Sequence, residues 1–151
     1  MPRACSGGRS RSYAGNRLPA APIEIGGVTG ITDAIGAALE RGQTIDITTT
    51  GRRSGEPRRI EIVFHNIEGR IYISGIPRPQ KRDWLLNLEA DPRFTFHLKG
   101  RTHADLAATA RIIDEEAERR RILPHVARAW RRNDLDAMVR YSPLIEVLLD
   151  R

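Results

Sequence analysis

Cysteine is almost absent from this chain of 151 residues, Cys5 being the only one. A lone cysteine closes no internal disulfide and builds no Cys-based zinc site, so a packed core must hold the fold and a reducing compartment is the natural setting. Aromatic residues make up 5% of the sequence, too few for a base-stacking platform. No stretch approaches the roughly 18 to 20 apolar residues that cross a bilayer, and no continuous hydrophobic segment of the secretory type opens the chain. A cytoplasmic location is expected. Nucleophile elbow, P-loop and dinucleotide G-x-G-x-x-G are all missing, and His65, His97, His103 and His125 are too scattered for a zinc signature. Redox chemistry in such a chain has to come from a cofactor, and no metal site is expected.

A formal charge of +6 is present, but its location matters more than its size. Residues 1–22 carry Arg3, Arg9, Arg11 and Arg17 with no acid, which leaves a net charge of only +2 on the remaining 129 residues. This segment is rich in Gly, Ser, Arg and Pro, lacks apolar periodicity, and reads as a disordered basic arm. Residues 23–151 then form one domain, long enough to bury a substantial core. Specific nucleic-acid binding is not expected from so nearly neutral a body.

Helical spacing of Ile31, Ile35, Ala38 and Leu39, with Thr29 or Thr32 as N-cap and Gly42 as stop, predicts a first short helix. The period then changes to two. Ile45 and Ile47 alternate with polar neighbours, as do Ile60, Ile62 and Phe64, and residues 51–57 between them are turn chemistry with a basic tip. A turn at Asn66 to Gly69 leads into a strand over 70–74. After a proline-stiffened loop, Asp83 is the expected N-cap of a helix from Trp84 to Ala90, closed by Asp91-Pro92. Phe94, Phe96 and Leu98 mark another strand, and 103–113 a further one. Asp114 is expected to cap a helix over 115–132 broken near Pro124, followed by a short helix at 135–141 and a strand at 144–149. Hairpin-linked strands with helices outside them indicate an α+β fold with an antiparallel sheet closed into a small barrel.

Two basic loops follow strands: Arg52, Arg53 and Arg58, then Arg78, Lys81 and Arg82. Either these side chains are merely solvated, or they converge on an anion, for which arginine forks and the backbone around Gly51, Ser54 and Gly55 are suited.

The run Thr48-Thr49-Thr50-Gly51-Arg52-Arg53-Ser54-Gly55-Glu56-Pro57-Arg58, followed by Trp84-Leu85-Leu86-Asn87-Leu88-Glu89-Ala90-Asp91-Pro92, resembles the deazaflavin (F420)-dependent nitroreductase and quinone reductase family. The likeness runs from about Gly42 to Arg151. It implies a split β-barrel of the FMN-binding type that binds coenzyme F420 and passes a hydride from the reduced deazaflavin to a quinone, nitro compound or activated alkene. By motif position, Arg52, Arg53, Ser54, Gly55 and Arg58 would hold the phosphate and glutamate tail, with Arg78 and Lys81 as further phosphate contacts. Trp84, Asn87 and Leu88 would sit beside the ring, near the backbone of Ser74, Gly75 and Ile76. Trp130 and Tyr141 are candidates for the substrate wall. The chain departs from the family pattern in having Tyr141 as the only tyrosine of its C-terminal helical stretch, and Ile60-Glu61 where Asn-Pro is often found. FMN is the alternative cofactor, and a noncatalytic flavin, tetrapyrrole or fatty-acid binder is the alternative function. The implied partner is a small-molecule electron acceptor; a homodimer and peripheral membrane contact stay open.

Overall fold

A computed structural model describes residues 32–150. The expectations for Cys5, for the arm over 1–22 and for Thr29 lie outside the described residues. Thr32 does act as the cap of α1 (Asp33–Glu40), its hydroxyl accepting from the Ile35 amide at 3.2 Å. Residues Ala37–Asp150 form one compact unit.

Six strands follow the expected order: β1 (Thr44–Thr50), β2 (Pro57–Ile67), β3 (Arg70–Ser74), then, after α2 (Asp83–Ala90), β4 (Arg93–Lys99) and β5 (His103–Ile112). Two helices, α3 (Glu116–Trp130) and α4 (Leu135–Tyr141), separate these from β6 (Leu144–Leu149). The sheet closes as β1-β2-β3-β6-β5-β4 and back to β1, with every neighbouring pair antiparallel. Alternation decides the faces: Ile45, Ile47 and Thr49 of β1 are buried while their neighbours are partly exposed, and Phe64 meets Phe96 edge-on with centroids 5.2 Å apart. Between β2 and β3 the turn is two residues, Glu68 and Gly69, both at positive φ, which suits the twist of a tight hairpin. Asn66 fixes it by accepting from the Gly69 amide and donating to the Leu39 carbonyl.

The ladder that closes the ring, β1 against β4, has only three register pairs, Asp46 with His97 through Thr48 with Thr95. Side chains reinforce it. His97 bonds the Asp105 carboxylate through Nδ1 and the Thr48 hydroxyl through Nε2, both at 2.7 Å, and Lys99 donates to Asp46 at 2.6 Å.

Three local expectations are corrected. Residue Asp83 is inside α2 rather than its cap; the cap position is Arg82, without a side-chain bond, because the Asp83 carboxylate reaches Arg52 instead. Asp114 likewise does not cap α3, whose N-cap is Glu115. Pro124 does not break α3, which runs through it. Burial of Ile122, Leu123, Val126 and Ala127 in one cluster with Tyr72, Met138 and Leu144 outweighs the cost of the missing amide. Residue Arg119 makes that packing possible. Buried on α3, its guanidinium donates to the carbonyls of Ile113 (2.8 Å), Val139 (2.8 Å), Met138 (3.2 Å) and Ser142, and so satisfies carbonyls at the C-terminal end of α4. Among the described residues no helix is long and apolar enough to cross a membrane.

Candidate functional site

The β1–β2 hairpin tip is shaped by backbone geometry. Gly51 exchanges hydrogen bonds with Glu56 and Gly55, both at 2.8 Å, and a Cβ at Gly51 would lie 2.7 Å from Ser54 Oγ. Gly55, at φ +74°, supplies the left-handed turn. Ser54 Oγ accepts from the Glu56 amide at 3.1 Å and from Arg58 at 3.4 Å, which draws the serine and arginine together on one side of the tip.

Helix α2 closes the barrel end next to this tip through Asn87, which is 4% exposed. Its amide donates to the Thr49 hydroxyl at 3.1 Å, and its carbonyl oxygen accepts from both the Arg52 backbone amide (3.1 Å) and the Arg52 guanidinium (3.0 Å). One side chain thus ties strand, hairpin and helix together. Arg52 completes the link with Asp83 at 3.2 Å.

A cleft of about 570 Å³ opens between the two elements, lined by Arg52, Arg53, Ser54, Arg58, Trp84 and Asn87 among others. Its cations are not equivalent. Arg52 is committed to Asp83 and Asn87, and Arg59 to Asp46 at 2.9 Å. Arg53 and Arg58 form no ion pair with a described residue. Two guanidiniums without an ion pair among the described residues, with Trp84 and Ile60 also lining the cleft, suit a ligand with an oxyanion at one end and an apolar ring at the other.

The other sequence candidates are placed elsewhere. Residue Leu88 is 1% exposed and packs in the core, lining none of the described cavities. Ser74 is buried with its hydroxyl donating to the Pro143 carbonyl at 2.6 Å. Gly75 backs onto Arg82, whose Cζ would be 2.9 Å from an added Cβ, and Arg82 donates to the Ile76 carbonyl at 2.7 Å, leaving the Ile76 side chain exposed. Arg78 and Lys81 do not line the cleft with Arg53 and Arg58. They line a different cavity, beside Tyr141, and Lys81 is paired with Glu89 at 2.8 Å. The reason is helical geometry: Trp84 and Asn87 occupy one face of α2, whereas Leu85 and Glu89 occupy the opposite one. Trp130 lines a third cavity with His65 and His125, its ring edge-on to His65 at 5.1 Å. Hence Trp130 and Tyr141 do not share a wall. Burial holds the His65 imidazole below the ordinary histidine pKa, and its Nε2 has no partner among the described residues.

Sequence reasoning missed Thr49, Arg59 and Ile60 as lining residues. Thr49 was detectable, since strict alternation after Ile45 and Ile47 puts it inside at the end of β1. Arg119 carried no signal: it sits in the run Arg119-Arg120-Arg121, and only the packing of α3 on α4 selects which of the three is buried.

Residues 26–144 match the model of the F420H(2)-dependent quinone reductase family. Solved structures share the fold. A conserved hypothetical protein from Mycobacterium tuberculosis superposes with TM-score 0.64 at 21% identity, covering 82% of this chain and 83% of that one. An F420-H2 dependent reductase gives 0.54 at 22% identity, covering 69% and 92%. The heme storage protein HutZ from Vibrio cholerae gives 0.60 at 12% identity, covering 80% and 91%.

Proposed function

The chain belongs to the F420H(2)-dependent quinone reductase family, which makes it an oxidoreductase with coenzyme F420 as cofactor, and on that premise we propose that it reduces a quinone, nitro compound or activated alkene. The observation that carries the reading is the cleft between the β1–β2 tip and α2, where Arg53 and Arg58 have no ion pair among the described residues and Trp84 lines the wall. This donor set fits the coenzyme. A phosphodiester with a carboxylate tail calls for cations that internal acids have not already neutralised, and a planar ring calls for apolar flanks.

In this reading Arg53 and Arg58 hold the phosphate, with the Ser54 hydroxyl directed to the same side by its two bonds. Arg52 shapes the pocket more than it binds, because Asn87 and Asp83 already fix it. Trp84 and Ile60 flank the ring and keep water from that wall. The reduced coenzyme supplies the hydride. The protein contributes position, and the transfer needs no side-chain nucleophile.

Fluorescence titration tests the binding residues. The native chain is expected to bind F420, and replacing Arg53 and Arg58 together with Ala is expected to weaken binding by roughly tenfold or more, the scale of losing charge-assisted bonds, while the fold is retained. Equal affinity in the double variant removes these residues from the site. Anaerobic oxidation of the reduced coenzyme by menadione, a nitroimidazole or cyclohexenone, each tested separately, then identifies the acceptor class; no turnover with any of the three refutes the proposed substrates.

A further inference from the structure

Across the closing ladder, polar side chains from three adjacent strands are joined in a line on the outer face of the barrel. Thr48 of β1 is paired in register with Thr95 of β4, two residues before His97, and His97 is paired with Asp105 of β5. The His97 ring bonds Thr48 Oγ1 through Nε2 and the Asp105 carboxylate through Nδ1, both at 2.7 Å. A carboxylate only accepts, so Nδ1 carries a proton, and in the neutral ring Nε2 then keeps its lone pair for the hydroxyl. Hydroxyl, imidazole and carboxylate joined in that order through opposite ring nitrogens is the arrangement that activates an alcohol as a nucleophile.

The neighbouring charges leave this order intact. Asp46 is directly opposite His97, but its carboxylate is taken by Arg59 at 2.9 Å and Lys99 at 2.6 Å. The His97 side chain is buried while that of Asp105 is exposed, so the imidazole is shielded and held from one side only. At the other end the hydroxyl meets open space. Thr48 is partly exposed and lines a hollow of about 340 Å³ together with Thr50, Pro57, Thr95 and Arg93, at the lower end of the range of small-molecule sites. Trp84 and Asn87, which line the coenzyme cleft, do not line this hollow. Arg93, two residues from Thr95 and on the same face of β4, brings a positive charge to it. Asp91 accepts from Arg93 Nε at 3.1 Å and from Nη2 at 3.2 Å, and Nη1 bonds to no described residue.

We propose that Thr48, His97 and Asp105 form a second reactive centre, an acyl-transfer site for small uncharged esters. Thr48 Oγ1 attacks the ester carbonyl carbon and forms the new C–O bond of a tetrahedral intermediate as its proton passes to His97 Nε2. Arg93 answers the negative charge that collects on the carbonyl oxygen. Collapse breaks the bond to the leaving alcohol, which takes the proton from Nε2, and the acyl group stays on Thr48. Water then attacks the acyl carbon by the same route, releasing the free acid and restoring the threonine hydroxyl. Thr48 and His97 are the catalytic residues, and Asp105 is a positioning residue that fixes the ring. No electron changes hands and F420 takes no part.

Hydrolysis of para-nitrophenyl acetate by the full chain tests the centre, followed by release of the nitrophenolate, with acid-quenched samples mapped by peptide mass spectrometry. Expected are turnover, an acetyl group on Thr48, and a fall in kcat of roughly a hundredfold in Thr48→Val, with Thr48→Ser active. Asp105→Asn is expected to lower kcat by roughly tenfold or more with KM unchanged, and Asp105→Glu to restore part of the rate. Circular dichroism checks folding, and the acetyl map of the native chain decides the matter whether or not Thr48→Val folds. An acetyl group on a lysine or on His97 in place of Thr48, an unchanged rate in Thr48→Val, or no hydrolysis beyond that of free imidazole at equal concentration overturns the proposal. The coenzyme reading fails separately, because F420 titration reports on the cleft alone and ester hydrolysis on this centre alone.

Discussion

Replacing Asn87 with Ala removes the one side chain that joins β1, the hairpin tip and α2. Three hydrogen bonds disappear, but they differ in worth. The Arg52 amide is at an exposed tip and can turn to water, so its loss costs little. The bond from the Arg52 guanidinium is charge-assisted, worth about 1.5 to 3 kcal/mol where water is excluded and less at this partly open position. Thr49 is 2% exposed and would keep a hydroxyl with nothing to donate to it, a penalty of about 1 to 3 kcal/mol. Together these give roughly 2 to 4 kcal/mol, or a fall in Tm of about 8 to 16 °C for a domain of this size. Urea unfolding followed by circular dichroism measures the loss. A double-mutant cycle with Arg52→Ala, read both in stability and in F420 affinity, then measures the coupling, expected at about 1 kcal/mol or more because the two side chains share bonds. A loss under about 1 kcal/mol for Asn87→Ala, or simple additivity with Arg52→Ala, refutes the idea that Asn87 is the clamp.

Arg119→Ala takes its donor from four carbonyls, of which Met138 keeps the Ser142 amide, and should cost about 3 to 5 kcal/mol, seen in chemical denaturation, whereas Arg120→Ala should leave the unfolding midpoint almost where it was. His65 is held neutral by burial, so its folded pKa lies below the unfolded value of 6.5; its contribution is fully present above that value and is lost as pH falls through it towards the folded pKa. In His65→Leu the stability measured between about pH 7 and pH 5 should therefore slope less steeply towards acid. Gly51→Ala drives a methyl into Ser54 Oγ at 2.7 Å and should both destabilise the tip by about 1 to 3 kcal/mol and weaken F420 binding, as paired melting and fluorescence titrations would report. An unchanged affinity in that variant disconnects the tip geometry from the ligand.

The sequence made the barrel legible because its signals are local. Ile45 and Ile47 alternate with polar neighbours, Phe94, Phe96 and Leu98 do the same, and a tight turn before Arg70 joins two strands; each pattern requires only the period of a strand and the chemistry of a turn. The link between the first basic tip and the Trp84 helix was also legible, since the two motifs occur together. What could not be read was which charges remain available. Arg52 and Arg53 are adjacent and chemically identical, yet one is occupied by Asn87 and Asp83 while the other forms no ion pair with a described residue. The same applies to Arg78 and Lys81, separated from the first tip by a helix whose two faces point to different cavities. Pro124 shows the complementary failure: a local breaker is overridden when the residues around it bury a continuous apolar face.

The short β1–β4 ladder makes the hoop unequal around its circumference. Where other neighbours are zipped over four to seven pairs, here three are clasped by histidine and lysine side chains. This seam should therefore part before the rest of the wall yields, flattening the cylinder into a sheet with two bare margins. Such margins template strand addition, so self-association should start at this seam while the rest of the hoop is still paired.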